Sequence, residues 1–197
     1  MPDFTAVIIA GGRATRLGGI DKTALRYNGR TLLQCALDAV RKAEQVAVVG
    51  FGIDLDPVEG VTQTEEEPRW AGPAAAVAAG LHNLRHRRAE HTVVIAADMP
   101  RVPGAVALLL DALDDDHEGV IAVDSTGIRQ QLLGVYRTSA LRQAVAAAGS
   151  ANAAMRSVTG MLHLRELVIP DDLCADVDTP ADAIENGIEL RAHAVAG

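Results

Sequence analysis

The chain has 197 residues, a formal net charge of −8 and a hydrophobic share of 49%. So large an apolar share excludes disorder over most of the length, and the acidic balance excludes a general nucleic-acid or anionic-membrane surface, which needs Lys and Arg in excess on one face. The length suits one domain with a sizeable core; with no membrane-length apolar run and no basic leader before an apolar stretch, a cytoplasmic protein is expected.

Phe4 to Ala10 is an apolar run whose β-branched Val7, Ile8 and Ile9 suit a buried strand of a parallel sheet. Two glycines end it. The loop that follows carries Arg13, Arg16 and Lys22 among Gly11, Gly12, Gly18 and Gly19. Glycines let backbone N–H groups wrap an anion, and Arg and Lys supply charge at its rim, so a polyphosphate is the expected ligand. A solvated glycine-rich surface loop is the plain alternative. The Walker A pattern fails because Asp21 precedes Lys22-Thr23, and GxGxxG fails because its short turn should run straight into a helix.

Asn28-Gly29 reads as a turn, and Thr31 as the N-cap of a helix over Leu32 to Ala43. A strand over Gln45 to Val49 follows, and Val61 closes a short third one. Glu65-Glu66-Glu67 reads as a solvated acidic loop, while Pro73 begins an Ala-rich helix over Ala74 to Leu84, whose N-terminus can face a ligand. His82 and His86 share a helix face, but with no HExxH glutamate between them they read as a charged helix end rather than a metal pair. Cys35 and Cys174, far apart and without CxxC spacing, read as small buried residues of a reducing compartment.

His91 to Ala96 is the next apolar strand, followed at once by Ala97-Asp98-Met99-Pro100. A carboxylate just past the carboxyl end of a buried strand lies on the edge where open α/β sheets bind ligands, the edge of the glycine loop. Opposite bound phosphates it would repel them unless a divalent cation stood between, so Asp98 reads as a Mg²⁺ ligand, with a cap or turn as the alternative. Helices are expected over Val102 to Leu113, Thr138 to Ala148, Ala151 to Val158 and, behind a Thr179 cap, Ala181 to Ile188. Strands are expected over Gly119 to Asp124, Gln130 to Tyr136 and Leu162 to Ile169, with Pro170-Asp171-Asp172 as a break and a frayed tail from Arg191.

Gly11-Gly12, Arg16-Leu17-Gly18 and Asp21-Lys22 resemble the LAGGxSxRMGxDK signature of molybdenum cofactor guanylyltransferases, with Ile9 for Leu and Leu17 for Met. Sugar-1-phosphate nucleotidyltransferases share GGxxTRL but place their lysine farther on. Gly72-Pro73 is similar to the family's GPLAG, Ala97 to Pro100 to its PxDxP, and Asp178-Thr179-Pro180 to its (N/D)TP. Gln130-Gln131-Leu132 with Tyr136-Arg137 is similar to the QPL...YR segment that shapes the pterin side. The resemblance implies a single-domain, Rossmann-like, three-layer α/β/α nucleotidyltransferase fold with a mostly parallel central sheet over residues 1–190, the tail being 191–197.

It also implies transfer of GMP from GTP to the terminal phosphate of molybdopterin or its molybdenum form, with Mg²⁺ as cofactor and release of pyrophosphate. Carried over by position, Ile9, Ala10, Gly11 and Gly12 contact GTP, Lys22 and Arg16 serve the triphosphate, and Asp98 holds both Mg²⁺ and nucleotide. A further nucleotide-contacting carboxylate falls at Glu65, with Glu66 as the alternative. Asp178 is either a second metal carboxylate or a helix-entry residue. Because Asp176-Val177-Asp178 replaces the common Asn-x-Asn, a cytidylyltransferase using CTP stays open, although Gly11-Gly12 favours guanine. A non-catalytic nucleotide-binding partner in molybdenum enzyme maturation would lack the lysine or the strand-end aspartate; both are present. The expected partners are GTP, molybdopterin and other maturation proteins, for a monomer or weak homo-oligomer.

Overall fold

The computed structural model describes residues 2–11, 22–53, 55–85, 89–149 and 153–189. In chain order these form β1 (Phe4–Ile9), a 3-10 turn at Lys22–Ala24, β2 (Arg26–Tyr27), β3 (Arg30–Thr31), α1 (Leu32–Ala39), β4 (Val46–Val49), β5 (Val61–Thr64), α2 (Pro73–Asn83) and β6 (His91–Ala96). There follow α3 (Val102–Asp111), β7 (Gly119–Val123), β8 (Arg129–Arg137), α4 (Thr138–Ala148), α5 (Met155–Thr159), β9 (Leu164–Val168), α6 (Asp171–Cys174), α7 (Pro180–Glu185) and β10 (Ile188–Glu189).

Every residue of β1 is buried, and its side chains alternate between two cores. Phe4, Ala6 and Ile8 join the core covered by α1, α3 and α6, while Val7 and Ile9 join the one under α2, α4 and α5. A strand wet on one face would show polar residues at every second position; this one must be covered twice. The result is three layers around a seven-stranded sheet of order β5-β4-β1-β6-β8-β7-β9. All its pairings are parallel except those of β8, which runs against β6 and β7. The fold is thus the expected mostly parallel α/β/α arrangement.

Register decides where the site forms. Ile9 lies beside Val49 and Ala96, so β1, β4 and β6 end level with one another. The ladder continues one step past the strands, with Ala10 N–H donating to Val49 O at 2.8 Å and Ala97 N–H to Ile9 O at 2.9 Å. Gly50 has to be small here, because a Cβ on it would stand 2.8 Å from the Ala10 carbonyl.

A second, three-stranded sheet of order β10-β2-β3 packs beside this edge. Its own small core is Leu25, Leu32, Val177, Ala183 and Ile188. Asn28 and Gly29, at φ 49° and 79°, make the two-residue turn of the β2–β3 hairpin. The expected turn is there, but the strands flanking it were not foreseen, being two residues each.

Other boundaries differ for local reasons. Val61 opens rather than closes its strand: β5 is a sheet edge whose Thr62 hydroxyl bonds Val46 O at 3.2 Å and Asn83 at 2.8 Å, so its polar residues do not look like a strand. α1 stops at Ala39, four residues early, with Val40 as its cap. The last helix stops at Glu185 because Gly187 takes a left-handed φ of 68°, which frees Ile188 to pair with Tyr27. Pro170-Asp171-Asp172 is less a break than the entry to the four-residue α6. α5 begins at Met155, and the earlier part of its expected span, like the tail, lies partly or wholly outside the described residues. The Thr31 cap stands, with Thr31 and Gln34 exchanging side-chain to backbone bonds at 3.1 and 2.9 Å. Among the described residues no helix is long and apolar enough to cross a membrane.

Candidate active site

Two cavities open along the level edge of β1, β4 and β6, and they share Ile9, Gly11 and Leu132. One, of about 330 Å³, is closed by Gly72, Pro73, Trp70 and Glu66. The other, of about 280 Å³, is bounded by Asp98, Gln130, Gln131, Cys174 and Asp176. They are two lobes of one cleft, and Ile9 and Gly11 form the ridge between them.

The first lobe is built by the start of α2. Gly72, at φ 94°, turns the chain into the helix, and Pro73 occupies its first position, where no N–H donor is needed. With Ala76 also lining the lobe, the positive end of the helix dipole borders it. Trp70 packs on Phe51 with ring centroids 5.1 Å apart, and the Arg69 guanidinium lies 4.4 Å over the same Phe51 ring. Of the two candidate glutamates, Glu66 is the one in the lobe, at only 7% exposure. Glu65 turns out to solvent and pairs with Arg69 at 3.5 Å. One residue of register separates the two, and a loop sequence carries no periodicity from which to read it.

The second lobe holds the charge. Lys22 Nζ donates to Asp98 Oδ2 at 3.2 Å and to Asp178 Oδ1, linking residues 76 and 156 positions apart in the chain. Asp98, Asp176 and Asp178 each offer an oxygen within 4.8 Å of the others. The backbone sets this spacing. Val177 N–H donates to the Asp98 carbonyl at 3.1 Å, and the Asp182 carboxylate accepts from the N–H groups of Asp178 and Thr179 at 3.0 and 2.7 Å. Val177 is fully buried in the small core, so the flanking aspartates of this extended segment turn together toward the cleft. That alternation, acid–apolar–acid, was the available sequence signal for Asp176.

Desolvation raises the Asp98 carboxyl above the usual aspartate range, outweighing the lowering effect of the Lys22 ammonium beside it. Asp176 is raised too, by desolvation first and then by the charges of Asp98 and Asp178. For Lys22, burial pulls downward, yet its bonds and charge attraction to Asp178 and Asp98 together raise it. Three carboxylates on one side of a cleft are a hard-oxygen donor set of the kind that takes Mg²⁺ or Mn²⁺. Oxygens bound to one Mg²⁺ stand at most about 4.2 Å apart, so small side-chain rotations would suffice here.

Among the other sequence candidates, Ile9 and Gly11 line the cleft, Ala10 between them packs against the core instead, and Gly12 and Arg16 lie outside the described residues. Gln130, Gln131 and Leu132 line the second lobe. Tyr136 and Arg137 do not, because antiparallel β8 carries them to the far end of the sheet. There Arg137 sits opposite His91, and Tyr136 is buried in the core. Cys174 floors the lobe, but burial and the nearby Asp124, Asp171 and Asp172 push its thiol up to about 11, leaving it protonated and inert at neutral pH. His82 is bonded to Arg85 at 2.8 Å, and its partner in the rejected metal pair, His86, lies outside the described residues.

The profile of the MobA-like NTP transferase domain matches residues 6–166. A molybdenum cofactor guanylyltransferase of Aliivibrio salmonicida is 32% identical over 121 residues, covering 60% of this chain and 61% of that protein. A probable molybdenum cofactor guanylyltransferase of Natronomonas pharaonis is 29% identical over 92% of this chain and 96% of its own length. Among solved structures, Rv0371c of Mycobacterium tuberculosis H37Rv superimposes with a TM-score of 0.71 at 25% identity, covering 93% of this chain and 97% of the other. The same protein has also been crystallised as a complex with manganese.

Proposed function

The chain belongs to the MobA-like NTP transferase family, and from that premise we propose that it transfers GMP from GTP to the terminal phosphate of molybdopterin, forming the guanine dinucleotide and releasing pyrophosphate. The observation that carries the reading is the meeting of Lys22 with Asp98 at the level edge of the sheet, beside the lobe that Gly11, Gly72 and Glu66 enclose.

A phosphate oxygen of the acceptor attacks the α-phosphorus of GTP, and the bond from that phosphorus to the bridging oxygen of the β-phosphate breaks. No side-chain nucleophile is needed, so the work of the protein is alignment and charge neutralisation. Asp98, with Asp176 and Asp178, would hold Mg²⁺, which supplies Lewis-acid stabilisation of the negative charge on the phosphates. Lys22 neutralises the triphosphate and Gly11 lets its backbone approach closely; Gly12 and Arg16 are assigned to the same task. Glu66, rather than Glu65, is our assignment for the base. The Watson–Crick edge of guanine offers N1–H and N2–H together to one carboxylate, whereas cytosine offers only its N4–H₂ group, so a half-satisfied acceptor disfavours CTP. Trp70 closes the lobe as a stacking surface. The amide-lined lobe of Gln130 and Gln131 is left for the pterin.

The test is to mix the protein with Mg²⁺, molybdopterin and either GTP or CTP, following pyrophosphate release and the mass of the product. A higher kcat/KM with CTP would replace the guanine reading by the cytidine one. No release with any nucleoside triphosphate would leave a binding partner instead of an enzyme.

A further inference from the structure

Lys22 lies within the acid cluster rather than out over the cleft. Its ammonium bonds Asp98 and Asp178, two of the three residues whose oxygens converge within 4.8 Å. The lysine does not draw the acids together. Their spacing comes from the Val177 N–H bond to Asp98 O and from the grip of Asp182 on the N–H groups of Asp178 and Thr179. The ammonium fills a space the backbone has already framed, and a divalent ion bound by Asp98 and Asp178 needs that same space. Mg²⁺ stands about 2.1 Å from each oxygen and an ammonium about 2.8 Å, so the two cannot bridge the same two oxygens together. Being like charges, they also repel at such a distance.

We infer that Lys22 competes with the divalent ion for Asp98 and Asp178, so that the ion loads productively together with the nucleotide, whose phosphates give the ammonium another partner. The inference rests on the cleft being a metal and nucleotide site. Lys22 then has two successive partners: the aspartates in the resting protein, and the triphosphate once it arrives. An ion entering alone must expel an ammonium from two carboxylates into water, whereas an ion entering with triphosphate exchanges one set of oxyanions around that ammonium for another. The lysine therefore sets the order of loading, and it disfavours an ion held without substrate. If the ammonium occupies the site nine-tenths of the time, the apparent affinity for a lone ion falls about tenfold.

The experiment is a Mn²⁺ titration of the full chain without nucleotide, following the EPR signal of the free ion, on wild type, Lys22→Met, Lys22→Gln and Lys42→Met. Lys22 and Lys42 are the two lysines of the chain, so Lys42→Met controls for the loss of one positive charge from an already acidic protein. The Lys22 variants should bind Mn²⁺ about tenfold more tightly than wild type, and Lys42→Met should match wild type. Adding Asp98→Asn to Lys22→Met should abolish the gain, placing the ion at this cluster. A two-signal ¹⁵N-lysine spectrum of wild type supplies a readout free of any variant: the Lys22 signal should hold its place until Mg²⁺ alone fills the site, and should shift at a lower Mg²⁺ concentration when GTP is present. Equal or weaker Mn²⁺ binding by both Lys22 variants, or a site filled by Mg²⁺ alone with the Lys22 signal unmoved, would overturn the competition. Neither result touches the transfer reading, which stands or falls on product formation, and a preference for CTP would leave the competition intact.

Discussion

Both ends of β6 carry charged and polar groups, and the two ends treat them in opposite ways. At the carboxyl end, three carboxylates gather about one ammonium at the wall of an open cleft. At the amino end the groups are used up among themselves. Arg137 donates to His117 O at 3.2 Å, to Glu90 at 3.3 Å and to Asp115 O at 3.3 Å, while Asp114 takes His117 at 2.8 Å and Arg165 at 3.4 Å. Beneath them runs a line of hydroxyls. Thr138 donates to Ala89 O at 2.9 Å, so it must accept from Thr92 at 2.9 Å, and Thr92 in turn accepts from Thr5 at 3.2 Å. Apart from the Nδ1 of His91, which has no partner, the amino end is satisfied without help, whereas the carboxyl end, among the described residues, keeps an excess of acid that an incoming cation can balance. Stability should therefore be concentrated at one end of the strand and activity at the other.

The largest effect tests that division directly. Asp98→Ala should lower the rate of transfer about a hundredfold or more, the usual cost of losing a preorganised charge in phosphoryl chemistry, while far-UV circular dichroism and urea unfolding stay close to wild type. Full turnover in Asp98→Ala would show that the excess of acid has no catalytic use. Glu66→Gln should come next. It retains one acceptor but turns a donor toward the base, so kcat/KM for GTP should fall about tenfold to a hundredfold with CTP little changed. An unaltered GTP to CTP ratio would move base reading away from this carboxylate.

At the other end the signs reverse. Thr92 is fully buried in the middle of the hydroxyl line. Thr92→Val keeps its shape but leaves the Thr5 hydroxyl without an acceptor, which should cost about 1–2 kcal/mol in urea unfolding and leave transfer kinetics unchanged. A loss of activity without a loss of stability would erase the contrast between the two ends.

How much of this the sequence could reveal follows from the same contrast. β1, β6 and Asp98 were legible because burial on two faces demands continuous apolar runs, and because an acid at the end of such a run is conspicuous. The small sheet was not legible: β2, β3 and β10 are two residues each, and what holds them is the distant packing of Leu25 and Leu32 on Val177 and Ile188. Which of Glu65 and Glu66 lines the lobe could not be read for want of periodicity in their loop; it is Glu66. Asp176 was in view only as a departure from Asn-x-Asn, because its value depends on Val177 being buried, a tertiary fact. The QPL...YR resemblance was half misleading, since a motif running along a strand reads as one place although its ends lie at opposite edges of the sheet.

The smallest expected effect concerns His91, the first residue of β6. Its ring is buried, Nδ1 has no hydrogen-bond partner, and its pKa is lowered. Desolvation is the main cause; Arg137 adds to it, while Glu90 and Asp115 oppose it. A histidine with a folded pKa below its unfolded value of about 6.5 binds its proton more weakly when folded. Between the two values the unfolded chain takes up more protons, so stability should be complete above about pH 6.5 and fall as the pH drops toward the folded value. His91→Gln has no such proton to lose, and its unfolding free energy should decline less than that of wild type over the same interval. Because the charge arises at the amino end of the strand, the GTP dependence of transfer should be the same in both proteins. If the two stability curves run parallel, the ring is being protonated without penalty, and the closed, self-satisfied character assigned to this end of β6 would have to be given up.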